Sequence, residues 1–118
     1  MTDSPRIYHN PRCSKSRATL NLLRERGLEP EVVEYLNTPP DETTLREILD
    51  QLGIGPRELM RTGETEYREL GLDDPGVSDE QLLRAMVEHP KLMERPIVLH
   101  AGKARLGRPP ERVLEILQ

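Results

Sequence analysis

The chain has 118 residues, a formal net charge of −4 and a lean, aliphatic composition without Trp or Phe. A chain of this length buries roughly two-thirds of its unfolded surface without help from disulfides or metals, so we predict a single domain over residues 1–118. The charge and the scarcity of aromatic faces argue against nucleic-acid binding, and the absence of a long apolar run or a hydrophobic leader predicts a cytoplasmic protein that binds no membrane.

The first third of the chain predicts a βαβ unit. Residues 6–9 are expected to form a strand, and residues 32–36 a second strand with β-branched side chains. Between them a helix is expected to begin near Cys13 or Ser14 and to end at Arg26. The predicted apolar face of that helix comprises Ala18, Leu22 and Leu23. Because the connection is short, the two strands should pair in parallel.

The middle of the chain, at about residues 41–90, predicts a block of helices. Its first helix carries apolar residues at the i, i+3, i+4 and i+7 positions of one buried face, namely Leu45, Ile48, Leu49 and Leu52. Two short helices are expected at residues 56–60 and 64–70. Another helix begins at Ser78, which opens a capping-box pattern, and ends at Pro90.

The end of the chain predicts a ββα unit. Residues 97–100 and 103–106 are expected to form a hairpin through Ala101 and Gly102, and Pro109 precedes a last helix. A βαβ half followed by a ββα half is the thioredoxin-like plan. We therefore predict an α/β, thioredoxin-like fold with a mixed four-stranded sheet and a helical insertion between its halves.

The one cysteine of the sequence, Cys13, follows the first predicted strand at the start of the first helix. Helix N-terminal amides and nearby cations stabilise a thiolate, and the neighbouring cations are Arg12, Lys15 and Arg17. A reactive thiolate is one reading of Cys13, and a small buried hydrophobic residue is the other. A lone cysteine excludes an internal disulfide and a cysteine-rich zinc site, so no metal is predicted and any redox cycle needs an external thiol.

Three neighbours of Cys13 are candidates for supporting roles. Ser16 occupies the second position of a Cys-x-x-Cys spacing, where it either donates a hydrogen bond to a thiolate or is a solvated helix serine. Asn10 either orients the loop or merely suits the turn. His9 either supports the thiolate electrostatically or is a satisfied, half-buried histidine.

Two arginines occupy unusual positions next to prolines. Arg95 precedes Pro96 at the entrance to the third strand, and Arg108 precedes Pro109 near a helix N-terminus, where a cation is electrostatically disfavoured. Because the guanidinium fork binds oxyanions in bidentate geometry, both placements suggest an oxyanion site. Pro96 is a candidate cis-proline facing the thiol, with an edge-strand proline as the alternative.

Residues 7–17 resemble the nucleophile loop of the glutathione/glutaredoxin-coupled arsenate reductase (ArsC) family. The resemblance extends in order along the chain and is greatest to the short, YfgD-like chromosomal subgroup. The other matching segments are residues 34–36, 58–61, 67–72, 89–90, 95–98 and 107–110. One departure is Gly107, which stands before Arg108 where some members of the family have cysteine.

The resemblance implies an arsenate reductase with a thioredoxin-like core. Cys13 would attack arsenate or a similar oxyanion. The oxyanion would be bound by Arg61, Arg95 and Arg108, of which Arg61 is indicated by the resemblance alone. The residues implied to support the thiolate and the anion loop are His9, Ser16 and Arg17. Glutathione would be the co-substrate and glutaredoxin the protein partner, with no bound cofactor.

Two other functions stay open at this point. One is a glutathione-linked thiol oxidoreductase acting on another substrate, with the arginines holding the carboxylates of glutathione. The other is a non-enzymatic, redox-responsive regulator that binds RNA polymerase, since a regulator of polymerase shares this fold. The best-known forms of that regulator use a Cys-x-x-Cys switch, and Ser16 removes the second thiol of such a switch here.

Overall fold

The structure, a computed structural model, describes residues 4–117. The chain divides into two compact units. The sheet unit consists of the described residues up to Thr38 together with those from Arg95 onward, and the helical unit is Pro39–Glu94. Among the described residues, no helix is long and apolar enough to cross a membrane.

The sheet unit contains four strands in the order β2-β1-β3-β4. The strands are β1 (Arg6–His9), β2 (Glu31–Glu34), β3 (Ile97–His100) and β4 (Lys103–Leu106). Strand β1 is parallel to β2 and antiparallel to β3, which in turn pairs antiparallel with β4. Helix α1 (Ser14–Glu25) connects the parallel pair, and a 3₁₀ helix (Pro110–Ile116) follows β4. The mixed sheet confirms the predicted α/β, thioredoxin-like fold.

The buried face of helix α1 agrees only in part with the predicted one: Leu23 is buried and Leu22 packs against the core. Its buried residues are Ser16, Thr19, Leu20 and Leu23, which follow the i, i+3, i+4 and i+7 spacing. Ala18 is exposed, so its predicted place on the buried face was wrong. The hydroxyl of Thr19 is tolerated inside because it donates to the carbonyl oxygen of Lys15 at 2.8 Å. The apolar cluster under this face comprises Ile7, Leu20, Leu23, Val98, Val113 and Ile116.

Two other elements of the sheet unit differ from their predictions. Strand β2 ends at Glu34, whose carbonyl oxygen accepts from the amides of Asn37 and Thr38 at 2.9 and 3.0 Å and so turns the chain. The last helix is a 3₁₀ helix rather than an α-helix, and two prolines at its start supply no amide donors. The hairpin turn is as predicted, with both Ala101 and Gly102 at positive φ.

The helical unit consists of short helices joined by tight turns. They are α2 (Glu42–Leu52), α3 (Pro56–Leu59), α4 (Thr65–Glu69), α5 (Asp79–Glu88) and a 3₁₀ helix (Pro90–Leu92). Helix α5 packs against α2 and α3. Ser78 accepts from the Gln81 amide at 3.2 Å, which completes the predicted capping box. At the other end of α5, Pro90 is the first residue of the 3₁₀ helix that follows.

Candidate active site

The loop between β1 and α1 places Cys13 at the N-cap of α1. Two oxygen atoms of Asn10 accept hydrogen bonds from amides of this loop. Its backbone carbonyl accepts from the Cys13 amide at 3.0 Å, and its side-chain Oδ1 accepts from the Arg12 amide at 3.0 Å. Asn10 thus has an Asx-type orienting role in the turn. The turn presents the thiol at the carboxyl end of β1, the edge where α/β proteins bind their ligands.

His9 and Ser16 form a buried pair beneath the loop. His9 Nδ1 lies 2.6 Å from Ser16 Oγ, which also accepts from the Asn10 amide at 3.0 Å. Both side chains are almost fully buried, so Ser16 is not a solvated helix serine. Burial lowers the pKa of His9; Glu34 opposes this shift, while Arg24 and Arg17 add to it. Burial therefore favours the neutral imidazole, and the hydrogen bond between His9 and Ser16 ties the end of β1 to α1.

The pKa of the half-buried Cys13 thiol is lowered. Burial is the largest single influence and raises the pKa, but the backbone amide of Ser16, the side chain of Arg95 and the amide of Lys15 outweigh it. The cation that favours the thiolate is therefore Arg95, far along the chain, and not the side chains adjacent to Cys13 in sequence. The Arg17 guanidinium instead donates to the Pro11 carbonyl oxygen at 2.9 Å and braces the loop.

Arg95 and Arg108 lie together in the sheet unit. Arg108 Nη1 donates to the Arg95 carbonyl oxygen at 3.1 Å. The peptide bonds that precede Pro96 and Pro109 are both cis. The Nε of Arg95 is buried and has no hydrogen-bond partner within residues 4–117. This guanidinium donor lies beside a thiol and has no acceptor of its own in the described part of the chain. Because charged donors are rarely left unsatisfied, it is suited to binding an anion.

Gly107 occupies a position with no room for a side chain. A Cβ added there would lie 2.5 Å from Thr19 Oγ1 and 2.8 Å from Pro96 Cγ. The Gly107 amide also donates to the Pro96 carbonyl oxygen at 2.9 Å, which holds the two segments together. The cysteine that some ArsC proteins carry here therefore does not fit this backbone without displacing α1 or Pro96.

Arg61, the third arginine of the resemblance, belongs to the helical unit, where it follows α3. Its Nε lies 3.3 Å from Glu64 Oε1, and its Nη1 lies 3.8 Å from Glu94 Oε2. Two carboxylates thus offset its charge. The i,i+3 spacing to Glu64 is visible in the sequence, but nothing local points to Glu94. The oxyanion-binding role of Arg61 stays a prediction. No cluster of His, Cys, Asp and Glu within residues 4–117 is suited to hold a metal ion.

The sequence is similar to those of known proteins along almost its whole length. A profile of the ArsC family matches residues 8–116. The chain is 64% identical over 118 residues to the Escherichia coli K12 protein YfgD, covering 99% of each. It is 54% identical over 113 residues to a Neisseria meningitidis serogroup A protein named arsenate reductase, covering 95% of this chain and 97% of that one.

A solved structure has the same fold. The arsenate reductase from Vibrio cholerae superposes with a TM-score of 0.96 at 53% identity, covering 99% of this chain and 100% of that one. The matched range of the family profile includes Cys13, Arg61, Arg95 and Arg108. The chain belongs to the ArsC family.

Proposed function

We propose that this protein is an arsenate reductase in which Cys13 is the nucleophile and glutathione, with glutaredoxin, supplies the electrons. The observation that carries the proposal is the pairing of Cys13 with Arg95. The thiol has a lowered pKa, and the buried Arg95 Nε has no partner within residues 4–117. Relatives named arsenate reductase support arsenate as the oxyanion.

In the first proposed step the Cys13 thiolate attacks the arsenic of arsenate. A sulfur–arsenic bond forms, one arsenic–oxygen bond breaks, and the departing oxygen takes up protons and leaves as water. Arg95 and Arg108, with Arg61 on the strength of the family resemblance, bind the remaining oxygens and stabilise their charge. The His9–Ser16 pair acts at one remove, because it holds the loop on which the thiol is presented.

In the second proposed step glutathione supplies the reducing electrons. Its thiolate sulfur attacks Cys13 Sγ, so a disulfide forms and the sulfur–arsenic bond breaks. The electron pair of that bond goes to arsenic, which changes from As(V) to As(III) and leaves as arsenite. Glutaredoxin then removes glutathione from Cys13 by thiol–disulfide exchange. Because Cys13 is the one cysteine of the sequence, the reductant comes from outside the chain, and we propose the reducing cytoplasm as its compartment.

The proposal is tested by arsenate turnover in the presence of glutathione, glutaredoxin and NADPH-coupled recycling. We expect Cys13→Ser to abolish turnover, because a hydroxyl ionises far less readily than a thiol, and to leave the circular dichroism spectrum unchanged. Ser14→Ala, at the adjacent exposed position, is the matched control and retains turnover.

Residual turnover of Cys13→Ser within tenfold of the wild type would exclude Cys13 as the nucleophile. If the wild-type protein does not reduce arsenate but removes glutathione from glutathionylated proteins, it is instead a general thiol oxidoreductase. Recovery of polymerase subunits without turnover would support the regulator.

A further inference from the structure

A groove of about 360 Å³ lies in the sheet unit, at the carboxyl ends of the parallel strands β1 and β2. One wall is the loop that leads to Cys13, including Asn10 and Arg12, and the other is the turn after β2, including Glu34, Leu36 and Asn37. Ligands of α/β sheets bind at this edge. The groove is larger than a tetrahedral oxyanion needs, so a second, larger ligand is the better match.

Arg12 and Glu34 give the groove two opposite charges. Both side chains are exposed, and neither forms an ion pair within residues 4–117. They are therefore available to a ligand that carries a cation and an anion on separate atoms. Leu36 is 43% exposed and adds an apolar surface to the same groove. The side-chain amide of Asn37 provides a further donor and acceptor.

The groove and the nucleophile share one turn. The Cys13 amide donates at 3.0 Å to the carbonyl oxygen of Asn10, which is itself a wall residue. A ligand held against Asn10 and Arg12 thus lies next to the loop that presents the thiol. The sequence offers no second cysteine to reduce Cys13, so in the proposed function a thiol from outside has to reach Cys13 at this loop.

We propose that this groove binds the thiol co-substrate, a small zwitterionic peptide thiol of the glutathione type. Glu34 binds its ammonium group, Arg12 binds one of its carboxylates, and Leu36 contacts its methylene groups. The inference rests on the external-thiol step of the proposed function but assigns a site that this step does not itself specify.

A test that requires no arsenate uses the mixed disulfide of Cys13 with thionitrobenzoate. The incoming thiolate sulfur bonds to Cys13 Sγ, the existing disulfide breaks, and thionitrobenzoate leaves as its coloured thiolate. The rate constant with glutathione is divided by that with 2-mercaptoethanol, which has no charges for the groove to recognise. This ratio removes any change in the intrinsic reactivity of Cys13.

We expect Arg12→Gln and Glu34→Gln each to lower this ratio by about three- to fivefold, and the double variant by about tenfold, as loss of solvent-exposed charge contacts predicts. The matched control is Glu31→Gln, on the same strand but paired with Arg6 outside the groove, and it should keep the ratio. A ratio within twofold of the wild type in both groove variants would overturn the proposal.

Direct binding gives a second readout. S-methylglutathione cannot exchange, so in titrations followed by amide chemical shifts it should perturb residues 10–12 and 34–37, with a weaker Kd in both groove variants. Shifts that cluster elsewhere would also overturn the site. Both measurements can be interpreted even if the protein does not reduce arsenate. If instead they give the contradicting results, only the groove is rejected as the thiol site, and the reductase proposal is unaffected.

Discussion

The cations of the helical unit and those around Cys13 differ in whether carboxylates lie beside them. In the helical unit, Arg46 and Arg61 each lie beside two carboxylates. Arg46 Nη2 lies 2.8 Å from both Glu42 Oε1 and Glu80 Oε2, and Arg61 is likewise bracketed by two glutamates. Lys91 pairs with Glu66 in the same unit. The positive charges of Arg46, Arg61 and Lys91 are therefore locally offset.

Around Cys13 the arrangement is the opposite. No ion pair within residues 4–117 involves the cations of the thiol loop or Arg95. Two other arginines of the sheet unit do pair with acids, Arg6 with Glu31 and Arg105 with Glu115. The comparison teaches that, among the described residues, the thiol loop and Arg95 carry cations without an ion pair where the proposed chemistry needs an anion, whereas Arg46, Arg61 and Lys91 are offset by carboxylates.

The largest expected effect separates the arginines near the thiol from an arginine of the helical unit. A lysine keeps the charge but loses the guanidinium fork. We expect Arg95→Lys and Arg108→Lys each to lower kcat/KM for arsenate by at least about tenfold, as loss of a charged hydrogen bond of roughly 1.5–3 kcal/mol predicts. Arg84→Lys, on the exposed face of α5, should change it little.

The same variants can be compared without turnover. Arsenate, sulfate or phosphate should protect Cys13 from alkylation less well in Arg95→Lys and Arg108→Lys than in Arg84→Lys. If all three variants behaved alike in both measurements, Arg95 and Arg108 would not be the residues that bind the anion.

A second contrast concerns two glycines. Gly107→Ala places a Cβ 2.5 Å from Thr19 Oγ1, so we expect a loss of about 1–3 kcal/mol in the free energy of unfolding, typical of overpacking. Gly63→Ala, in the helical unit, meets nothing within 4 Å and should have little effect. Chemical denaturation measures both. Adding Thr19→Ala to Gly107→Ala removes the closest contact and should restore part of the stability; no recovery would place the strain elsewhere.

The smallest expected effect is on the pKa of Cys13, measured as the pH midpoint of its alkylation. Arg95→Gln should raise that midpoint, since the Arg95 side chain lowers the pKa of the thiol. Arg105→Gln, in the same unit, should raise it less, because Glu115 already offsets the Arg105 charge. Equal shifts in the two variants would contradict the contrast.

The same pKa shift affects stability in a defined pH window. The thiolate is favoured in the folded state, so its contribution is present above the unfolded thiol's pKa of about 8.5 and is lost as pH falls through the lower folded pKa. Arg95→Gln should raise the folded pKa of the thiol and so narrow this window. The free energy of unfolding, measured by denaturation at a series of pH values, tests this.

Sequence alone was enough for the order of the elements and for the loop. The β-branched run before Glu34, the capping-box spacing at Ser78 and the Ala101–Gly102 turn are signals that act within a few residues, and the structure contains the corresponding elements. The position of Cys13 at the start of α1 is of the same kind, because Asn10 and Pro11 end the strand locally.

Predictions that depended on packing were less accurate. The buried face of α1 was only partly predicted because Ser16 and Thr19 are polar in sequence, yet their hydroxyls form hydrogen bonds inside the protein. The end of β2 was misplaced because β-propensity continues through Tyr35, while the chain turns at Glu34. In both cases a contact outside the local pattern decided the outcome.

The tertiary structure alone decided which charges act on the thiol. Local sequence pointed to the cations next to Cys13, but the side chain that lowers its pKa is Arg95, which β3 brings to the end of β1 by antiparallel pairing. Glu94 beside Arg61 and Thr19 beneath Gly107 are likewise contacts between segments distant in sequence. Helix and turn signals arise from neighbours along the chain and are written in the sequence, whereas the electrostatics of a site depend on distances in space that only the packed fold defines.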